Sequence, residues 1–252
     1  MKVFDKARAY LLSLDGVDEQ LIDSHVKKWD CLKKSSLKEI YRSLLHHSQN
    51  RRGMPNSIGE IDRLSRVFFD FDPKEVACNY KTYHDVLDSI KDEGVETSGV
   101  IRPENKRSHW VVFAKASIVS SNFLGQFEGI DDFNNFVHHF YRDKHTLISL
   151  PLMLKEELFG FGFALACDFL KENGYEKFVK PDTHINEICR AAGITDADTD
   201  YGVFKDIVDY CSENNLVPYE FDKMIWLVGS GRFYLNDKTV SASKKYFIEN
   251  YL

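Results

Sequence analysis

The sequence predicts an all-α protein. Apolar residues recur at helical spacing along most of the 252 residues, whereas the alternating pattern of β-strands is scarce. Cap residues and helix breakers divide this pattern into segments of helix length. With 43% hydrophobic and 29% charged residues, the chain has the composition of a globular protein, and it is long enough to bury a core without disulfides or metal.

Charge and cysteine content narrow the possible functions. The net charge of −6 argues against a surface covered in nucleic acid, because phosphate binding rests on Lys and Arg, but it leaves a local basic face possible. The five cysteines are odd in number and form no CxxC pair. This predicts reduced thiols, with no disulfide framework and no zinc or iron–sulfur site.

The N-terminal residues 1–16 contain scattered charges and no unbroken apolar core, so we predict no signal peptide. No window approaches the roughly 18 apolar residues that a membrane helix needs. We therefore expect a cytoplasmic protein without membrane contact, associated with the nucleoid if the source is prokaryotic.

In the first half of the chain, Ser35 or Ser36 is a predicted cap, and Asp72 and Pro73 begin a helix with a cap and a proline at the first helical position. Polar segments at 48–59 and 94–108 are predicted loops, the second a surface loop that could face substrate. The predicted helices span residues 4–14, 17–29, 36–47, 61–71 and 73–90.

In the second half, an apolar helix follows the glycines at 160 and 162 and ends at Gly174. Pro218 sets the start of a later helix, and Gly229 with Gly231 ends it. No internal repeat or low-complexity tract is present. The other predicted helices span residues 110–124, 130–141, 147–158, 183–192, 200–213, 219–228 and 242–251.

Gly160, Phe161 and Gly162 lie between two apolar helices. Two closely spaced glycines allow a helix–turn–helix hairpin to expose successive backbone amides at the start of its second helix. Such amides bind anions, and phosphate is the natural one. The alternative is an ordinary turn between two packed helices.

Asp182 follows Pro181 and immediately precedes a predicted helix. An Asp in this position usually caps the helix, and capping alone is the simpler interpretation. A carboxylate at a helix N-terminus is also rigidly placed and kept ionised by the helix dipole, which suits catalysis.

Together these two features resemble the helix–hairpin–helix DNA glycosylases related to endonuclease III. That family carries a Leu-Pro-Gly-x-Gly hairpin and a Val-Asp-Thr-His-Val segment. Here the corresponding residues are 158–162 (LFGFG) and 181–185 (PDTHI), and 20 positions separate Gly162 from Asp182, as in the family pattern. Two weaker likenesses flank them: 48–50 (SQN) resembles the family's Thr-Gln-Asn loop, and 231–233 (GRF) resembles its Gly-Arg-Tyr segment.

The departures from the family pattern are informative. Members that also cut the DNA backbone carry a Lys two residues after the second hairpin glycine, as Schiff-base nucleophile. Here that position is Ala164, so the resemblance implies a monofunctional glycosylase that leaves an abasic site. The family's four-cysteine cluster is absent, since only Cys211 follows Arg190. No cofactor is expected, with a monovalent cation at the hairpin left open.

The resemblance also implies roles for individual residues. The partner is double-stranded DNA containing a lesion or a mismatch, and the target nucleotide is rotated out of the duplex. Asp182 is the catalytic residue, and its carboxylate stabilises positive charge on the sugar or orients the attacking water. The residues predicted to bind DNA are Gly160, Gly162, Ala164, Gln49, Asn50, Arg51 and Arg232. Trp110, Tyr41 and His46 are the candidates for the base pocket.

The predicted architecture is two helical lobes around a DNA-binding cleft, in a monomer. Residues 30–176 form the barrel lobe that ends in the hairpin, and 1–29 with 177–252 form the second lobe. The expected substrates are alkylated or mismatched bases. Two alternatives remain: a bifunctional oxidised-purine glycosylase and abasic-site lyase that uses a Lys from elsewhere, and a non-catalytic helix–hairpin–helix protein that binds DNA.

Overall fold

The protein is all-α, as the sequence predicts. The computed structural model describes residues 2–50 and 54–252, and these contain fourteen α-helices and one short antiparallel ribbon. Among these residues, no helix combines the length and the apolar character needed to cross a bilayer.

The α-helices are α1 (Val3–Leu12), α2 (Glu19–Val26), α3 (Leu37–Ser48), α4 (Met54–Ile58), α5 (Pro73–Asn79), α6 (Tyr83–Asp92), α7 (His109–Leu124), α8 (Ile130–His139), α9 (Lys144–Glu157), α10 (Phe163–Glu172), α11 (Thr183–Ala191), α12 (Asp200–Glu213), α13 (Pro218–Ser230) and α14 (Lys244–Tyr251). The ribbon pairs β1 (Arg232–Phe233) with β2 (Lys238–Thr239). Short 3-10 helices occupy Lys28–Leu32, Ile61–Leu64, Phe140–Arg142 and Tyr234–Asn236.

The chain divides into two compact units. We call residues 34–169 the central unit, and residues 1–33 with 170–252 the terminal unit. The sequence predicts boundaries at 29/30 and 176/177, whereas the structure has them at 33/34 and 169/170. The second boundary lies inside α10, because the last turn of this helix carries Lys171, which pairs with Asp222 of the terminal unit.

The central unit is built around α7. Most residues of α7 are buried or half-buried, and they lie on all sides of the helix, which is typical of a helix enclosed by others. It packs against α3, α5, α6 and α4. Edge-to-face contacts join Phe68 to Tyr41 and to Phe113, so aromatic packing dominates this core, as the composition suggests.

Two predicted helices of this unit differ from the structure, and the one predicted over 73–90 is two helices, α5 and α6. The structure replaces the helix predicted over 61–71 by the short 3-10 turn at Ile61–Leu64 and a tight bend. Phe69, Asp70 and Phe71 have φ of 50°, 51° and 62°, the left-handed region that no helix can contain. A helix over 61–71 could not run on into α5, because Asp72 caps α5 and Pro73 disfavours helical geometry in the residue before it.

The terminal unit is built around α13, which packs against α1, α2, α11, α12 and α14. Its interior residues include Tyr219, Phe221, Met224 and Leu227, and it also buries two charged residues, Asp222 and Lys223. These charges place a polar network inside the unit that carries Asp182.

The ribbon that follows α13 was not part of the predicted secondary structure. It begins at Gly231, where φ is +66° and a Cβ atom would lie 2.7 Å from the backbone oxygen of Val240. Only glycine satisfies both conditions, so Gly231 ends the helix and turns the chain into β1, which contains Arg232.

Candidate functional site

The predicted hairpin connects α9 to α10 within the central unit. Leu158 is buried just beyond the end of α9, and its carbonyl oxygen accepts a hydrogen bond from the Phe161 amide at 3.1 Å. This closes a turn in which Gly160 has φ of +83°, a conformation that glycine adopts without steric cost. Phe161 turns inward and makes an edge contact with Phe169.

The outer side of the hairpin is open. A Cβ atom on Gly160 or Gly162 would have no heavy atom within 4 Å. The amides of Gly160, Gly162 and Ala164 donate to no other residue in the part of the chain that the structure describes. These donors sit at the start of α10, where the helix dipole favours an anion. The hairpin therefore leaves these backbone donors available to an anion.

Ala164 lies in the first turn of α10, and the nearest lysines along the chain are Lys155 and Lys171. Lys155 is exposed on α9, with its ammonium 3.6 Å from the Glu156 carboxylate. Lys171 is only 4% exposed and is held in ion pairs within the terminal unit. A buried, paired ammonium is a poor nucleophile, because it must first lose both its proton and its partner.

Asp182 caps α11. Its Oδ1 atom accepts hydrogen bonds from the amides of His184 and Ile185, at 2.9 and 3.1 Å. The carboxylate is thus fixed by the helix that it begins, and it faces the positive end of that helix. Helix capping, the simpler interpretation of the sequence, therefore accounts for one of the two carboxylate oxygens.

The other oxygen of Asp182 is available for chemistry. Oδ2 has no hydrogen-bond partner among the described residues, and the side chain is partly exposed. A carboxylate with one oxygen anchored and one free can stabilise a nearby cation or orient a water molecule.

The backbone before Asp182 is anchored to α13. The Lys180 amide donates to Oδ2 of Asp222 at 2.6 Å, and the Asp182 amide donates to the Lys180 carbonyl oxygen at 2.8 Å. Oδ1 of Asp222 accepts from Lys171 Nζ at 2.7 Å. Burial raises the pKa of the Asp222 carboxyl, and the Lys171 ammonium beside it opposes that rise.

The Asp222 anchor extends into a wider network. Lys171 also lies 3.2 Å from Glu172, whose carboxylate accepts from Lys223 at 2.6 Å. Lys223 in turn donates to the hydroxyl of Tyr234 at 2.8 Å. The sequence analysis missed this network, although an Asp-Lys pair inside the apolar run of α13 is an unusual pattern that could have indicated it.

His184 packs against α13. A Cβ atom on Gly229 would lie 2.6 Å from the His184 Cβ atom, so α11 and α13 meet at this glycine. The Nδ1 atom of His184 is buried and has no hydrogen-bond partner in the described part of the chain. The close approach of the two helices fixes the position of α11 near its first turn.

The residues after α3 that are predicted to bind DNA differ in their exposure. Gln49 is 5% exposed, and its Nε2 atom donates to the Gly59 carbonyl oxygen at 3.3 Å, so this side chain lies inside its unit. Asn50 is exposed. Arg51 and the neighbouring Arg52 lie outside the described residues.

The three candidates for the base pocket belong to the central unit. Tyr41 is fully buried, and its hydroxyl donates to the Ser117 carbonyl oxygen at 3.1 Å, so its proton is already committed. Burial also raises the pKa of Tyr41 well above its ordinary value. Trp110 is 4% exposed, and its ring lies beneath the Arg63 guanidinium. His46 is exposed on α3.

Arg232 is exposed on β1, and its guanidinium makes no ion pair with any described residue. The sequence left two roles open for it, a phosphate contact or a surface salt bridge. Since no protein carboxylate in the described ranges occupies this guanidinium, it is available to an external anion.

The cysteines are all free thiols, with Cys31 and Cys78 exposed and the other three buried. Burial raises the pKa of Cys211 to about 12, so this thiol is neutral at physiological pH. Within residues 2–50 and 54–252, no cluster of three or more His, Cys, Asp or Glu side chains could hold a metal ion.

Comparison with known proteins supports the fold. No protein-family model matches the chain, and no curated protein matches it significantly. In structure, the chain is similar to the 8-oxoguanine glycosylase/lyase of Methanocaldococcus jannaschii, solved in complex with a 15mer DNA containing 8-oxoguanine. The TM-score is 0.53 at 18% sequence identity, over 92% of this chain and 99% of that one. The two proteins therefore share a fold.

Proposed function

We propose that this protein is a monofunctional DNA N-glycosylase that excises a damaged or mismatched base and leaves an abasic site. The observation that carries the proposal is the geometry of Asp182. One oxygen is fixed by the amides of His184 and Ile185 in the first turn of α11, and the other has no protein partner in the described residues. The shared fold with a DNA glycosylase/lyase and the hairpin sequence support the same assignment.

In the proposed reaction the target nucleotide leaves the duplex and enters the protein. As the bond to the base breaks, positive charge develops on the sugar. The free oxygen of Asp182 stabilises that charge and orients the attacking water.

The leaving base sets the need for an acid. A positively charged alkylated base leaves without protonation, whereas a neutral base needs a donor. The Tyr41 hydroxyl already donates to the Ser117 carbonyl oxygen, so of the candidates only His46 is exposed and uncommitted in this way. A neutral base would therefore depend on His46 among these candidates, whereas a cationic alkylated purine would need none of them.

DNA binding is proposed to rest on backbone and a few side chains. The amides of Gly160, Gly162 and Ala164 would hold one phosphate, and exposed Arg232 and Asn50 would contact others. The carbonyl oxygens of Phe159, Gly160 and Phe161 accept no backbone hydrogen bond within the described ranges. They are the ligand type that a monovalent cation needs, so we propose that one can bind there and add positive charge.

A panel of duplexes tests the function. Each duplex carries one lesion or mismatch: 3-methyladenine, 7-methylguanine, 8-oxoguanine, a G·T mismatch or an A·8-oxoguanine mismatch. We expect strand breaks only after hot alkali, which reveals abasic sites, and only on part of the panel. If no duplex is cut while an abasic analogue binds tightly, the protein is a DNA-binding module without turnover.

Borohydride trapping tests the absence of lyase activity separately. A lyase forms an imine with the sugar, and reduction turns it into a covalent protein–DNA adduct. We expect no adduct on any duplex that is cut. An adduct on 8-oxoguanine DNA would instead indicate a bifunctional enzyme that uses a Lys elsewhere in the chain, since position 164 is Ala.

A further inference from the structure

Asp222 is almost wholly buried, and it binds the chain just before the proposed catalytic residue. Its side chain is 1% exposed on α13. One oxygen accepts from Lys171 Nζ at 2.7 Å, and the other accepts from the Lys180 amide at 2.6 Å. Burying a carboxylate in this way is costly unless both oxygens are satisfied, and here both are.

The Lys180 amide lies two residues before Asp182. The Lys180 carbonyl oxygen accepts the Asp182 amide at 2.8 Å, which folds residues 180–182 into a three-residue turn. A restraint on Lys180 is therefore passed to Asp182 through a single backbone turn.

We infer that Asp222 is a positioning residue, whose carboxylate holds the Lys180 amide and thereby fixes the backbone that presents Asp182. The inference rests on the proposed function of Asp182. Asp222 does not touch the free oxygen of Asp182, so it acts through Lys180 and not on the substrate.

A second contact restrains the same region from α13. Gly229 lies against the His184 side chain, within the first turn of α11. Asp222 and Gly229 therefore hold the chain on both sides of Asp182, one through an amide and one through a packed side chain. The two restraints leave the carboxylate little freedom to move relative to α13, and misplacement of a catalytic group by about 1 Å can cost on the order of a hundredfold in rate.

The single variant Asp222→Ala would remove the nearer of the two carboxylates that pair with buried Lys171, and the loss of stability could prevent folding. Two double variants avoid this difficulty. Lys171→Met with Asp222→Asn removes both charges but keeps an oxygen that can accept from the Lys180 amide. Lys171→Met with Asp222→Leu removes both charges and that acceptor. Both are first shown to be folded by circular dichroism and thermal unfolding.

Single-turnover excision on a duplex that the wild type cuts, and affinity for an abasic analogue, are measured for both double variants. We expect the Asn variant to excise within about threefold of the wild type, and the Leu variant about tenfold to a hundredfold more slowly, with abasic-site affinity unchanged in both. Equal excision rates in two folded double variants would overturn the positioning role. So would a loss of affinity that matches the loss of rate.

Amide hydrogen exchange separates failure of this inference from failure of the proposed function. In the wild type and the Asn variant, we expect the Lys180 amide to exchange at least tenfold more slowly than in the Leu variant. Equal exchange rates would show that Asp222 does not hold this turn. If the wild type excises no base, the catalytic role of Asp222 falls with the proposed function, while exchange still decides whether the anchor exists.

Discussion

The hairpin and the Asp182 segment differ in how closely other residues contact them. At Gly160 and Gly162 the structure leaves open space, since an added Cβ atom would meet nothing within 4 Å. The segment before Asp182 is tied to buried groups, with the Lys180 amide 2.6 Å from Asp222. The first region offers bare amides to a ligand, and the second region holds a single side chain in place.

The two regions differ in what their conformation depends on. The hairpin depends on its own backbone, and Phe159 beside its glycines is 42% exposed. The Asp182 segment depends on a partner distant in the chain, on α13. We therefore expect changes at the hairpin to weaken DNA binding, and changes around Asp182 to slow the chemical step.

The largest expected effect is that of Asp182→Asn. Asn caps helices as well as Asp does, so α11 should stay folded and the melting temperature should change by only a few degrees. The charge that stabilises the sugar cation is lost, and excision should slow by about a thousandfold, or about 4 kcal/mol. Single-turnover excision and abasic-site binding measure the two effects. Excision that survives the change would refute the catalytic role of Asp182.

Lys171→Met is expected to cause the largest loss of stability. It leaves the Asp222 carboxylate buried without its cation, which typically costs about 3–5 kcal/mol. Lys245→Met is the matched control, because this ammonium is 83% exposed and only 3.7 Å from Glu249 in an i,i+4 pair. Surface pairs of this kind contribute about 0.5 kcal/mol or less.

Urea unfolding compares the two lysine variants with the wild type. If Lys171→Met and Lys245→Met unfold at the same midpoint, the buried network around Asp222 contributes nothing to the stability of the terminal unit. The Asp182 segment would then not differ from the hairpin in how strongly buried groups stabilise it.

A pair of glycine substitutions contrasts the two regions directly. Gly229→Ala forces a methyl group against His184, and such overpacking costs about 1–3 kcal/mol. Gly162→Ala meets no atom, so stability should change by less than about 0.5 kcal/mol. Its methyl group would stand where a phosphate approaches, and loss of one charge-assisted hydrogen bond weakens DNA binding about tenfold. Urea unfolding measures stability, and fluorescence anisotropy with an abasic duplex measures DNA binding. If Gly162→Ala destabilised the protein and Gly229→Ala weakened DNA binding, the comparison of the two regions would be wrong.

Local signals in the sequence were enough to predict the helical fold and the place of the key residues. Asp182 precedes α11 as a cap must, and Gly160 occupies a left-handed turn between two helices. Both are local properties, set by a residue and its close neighbours. The wrongly predicted helix at 61–71 shows the limit of apolar spacing as a signal, because three left-handed residues in a row interrupt the chain just before the Asp72 cap and Pro73.

The contacts that hold Asp182 were beyond reach for a different reason. Asp222 lies 42 positions from Lys180, and no periodicity in the sequence links a buried carboxylate to a backbone amide. The base-pocket candidates met a related difficulty. Tyr41 has the chemistry of a proton donor, but the fold buries it and gives its hydroxyl to Ser117.

The smallest expected effect concerns pH and the ribbon that carries Arg232. His25 is buried, its Nε2 atom accepts from the Leu235 amide at 3.1 Å, and its Nδ1 atom lies 3.0 Å from the Leu21 carbonyl oxygen. Burial lowers the pKa of His25 below its ordinary value, so the folded protein favours the neutral ring. The unfolded chain therefore binds the proton more readily, and stability should fall as the pH drops from about 6.5 through the lowered pKa.

We expect His25 to contribute up to about 1 kcal/mol to this loss between pH 7 and pH 5. The measurement is the free energy of unfolding at several pH values for the wild type and for His25→Gln, which cannot titrate. The wild-type curve should be steeper in this window. Parallel curves would show that His25 keeps its ordinary pKa, and that the ribbon is held by Gly231 and β-pairing alone. A steeper curve would place a second buried polar anchor in the terminal unit, the unit that also ties down Asp182.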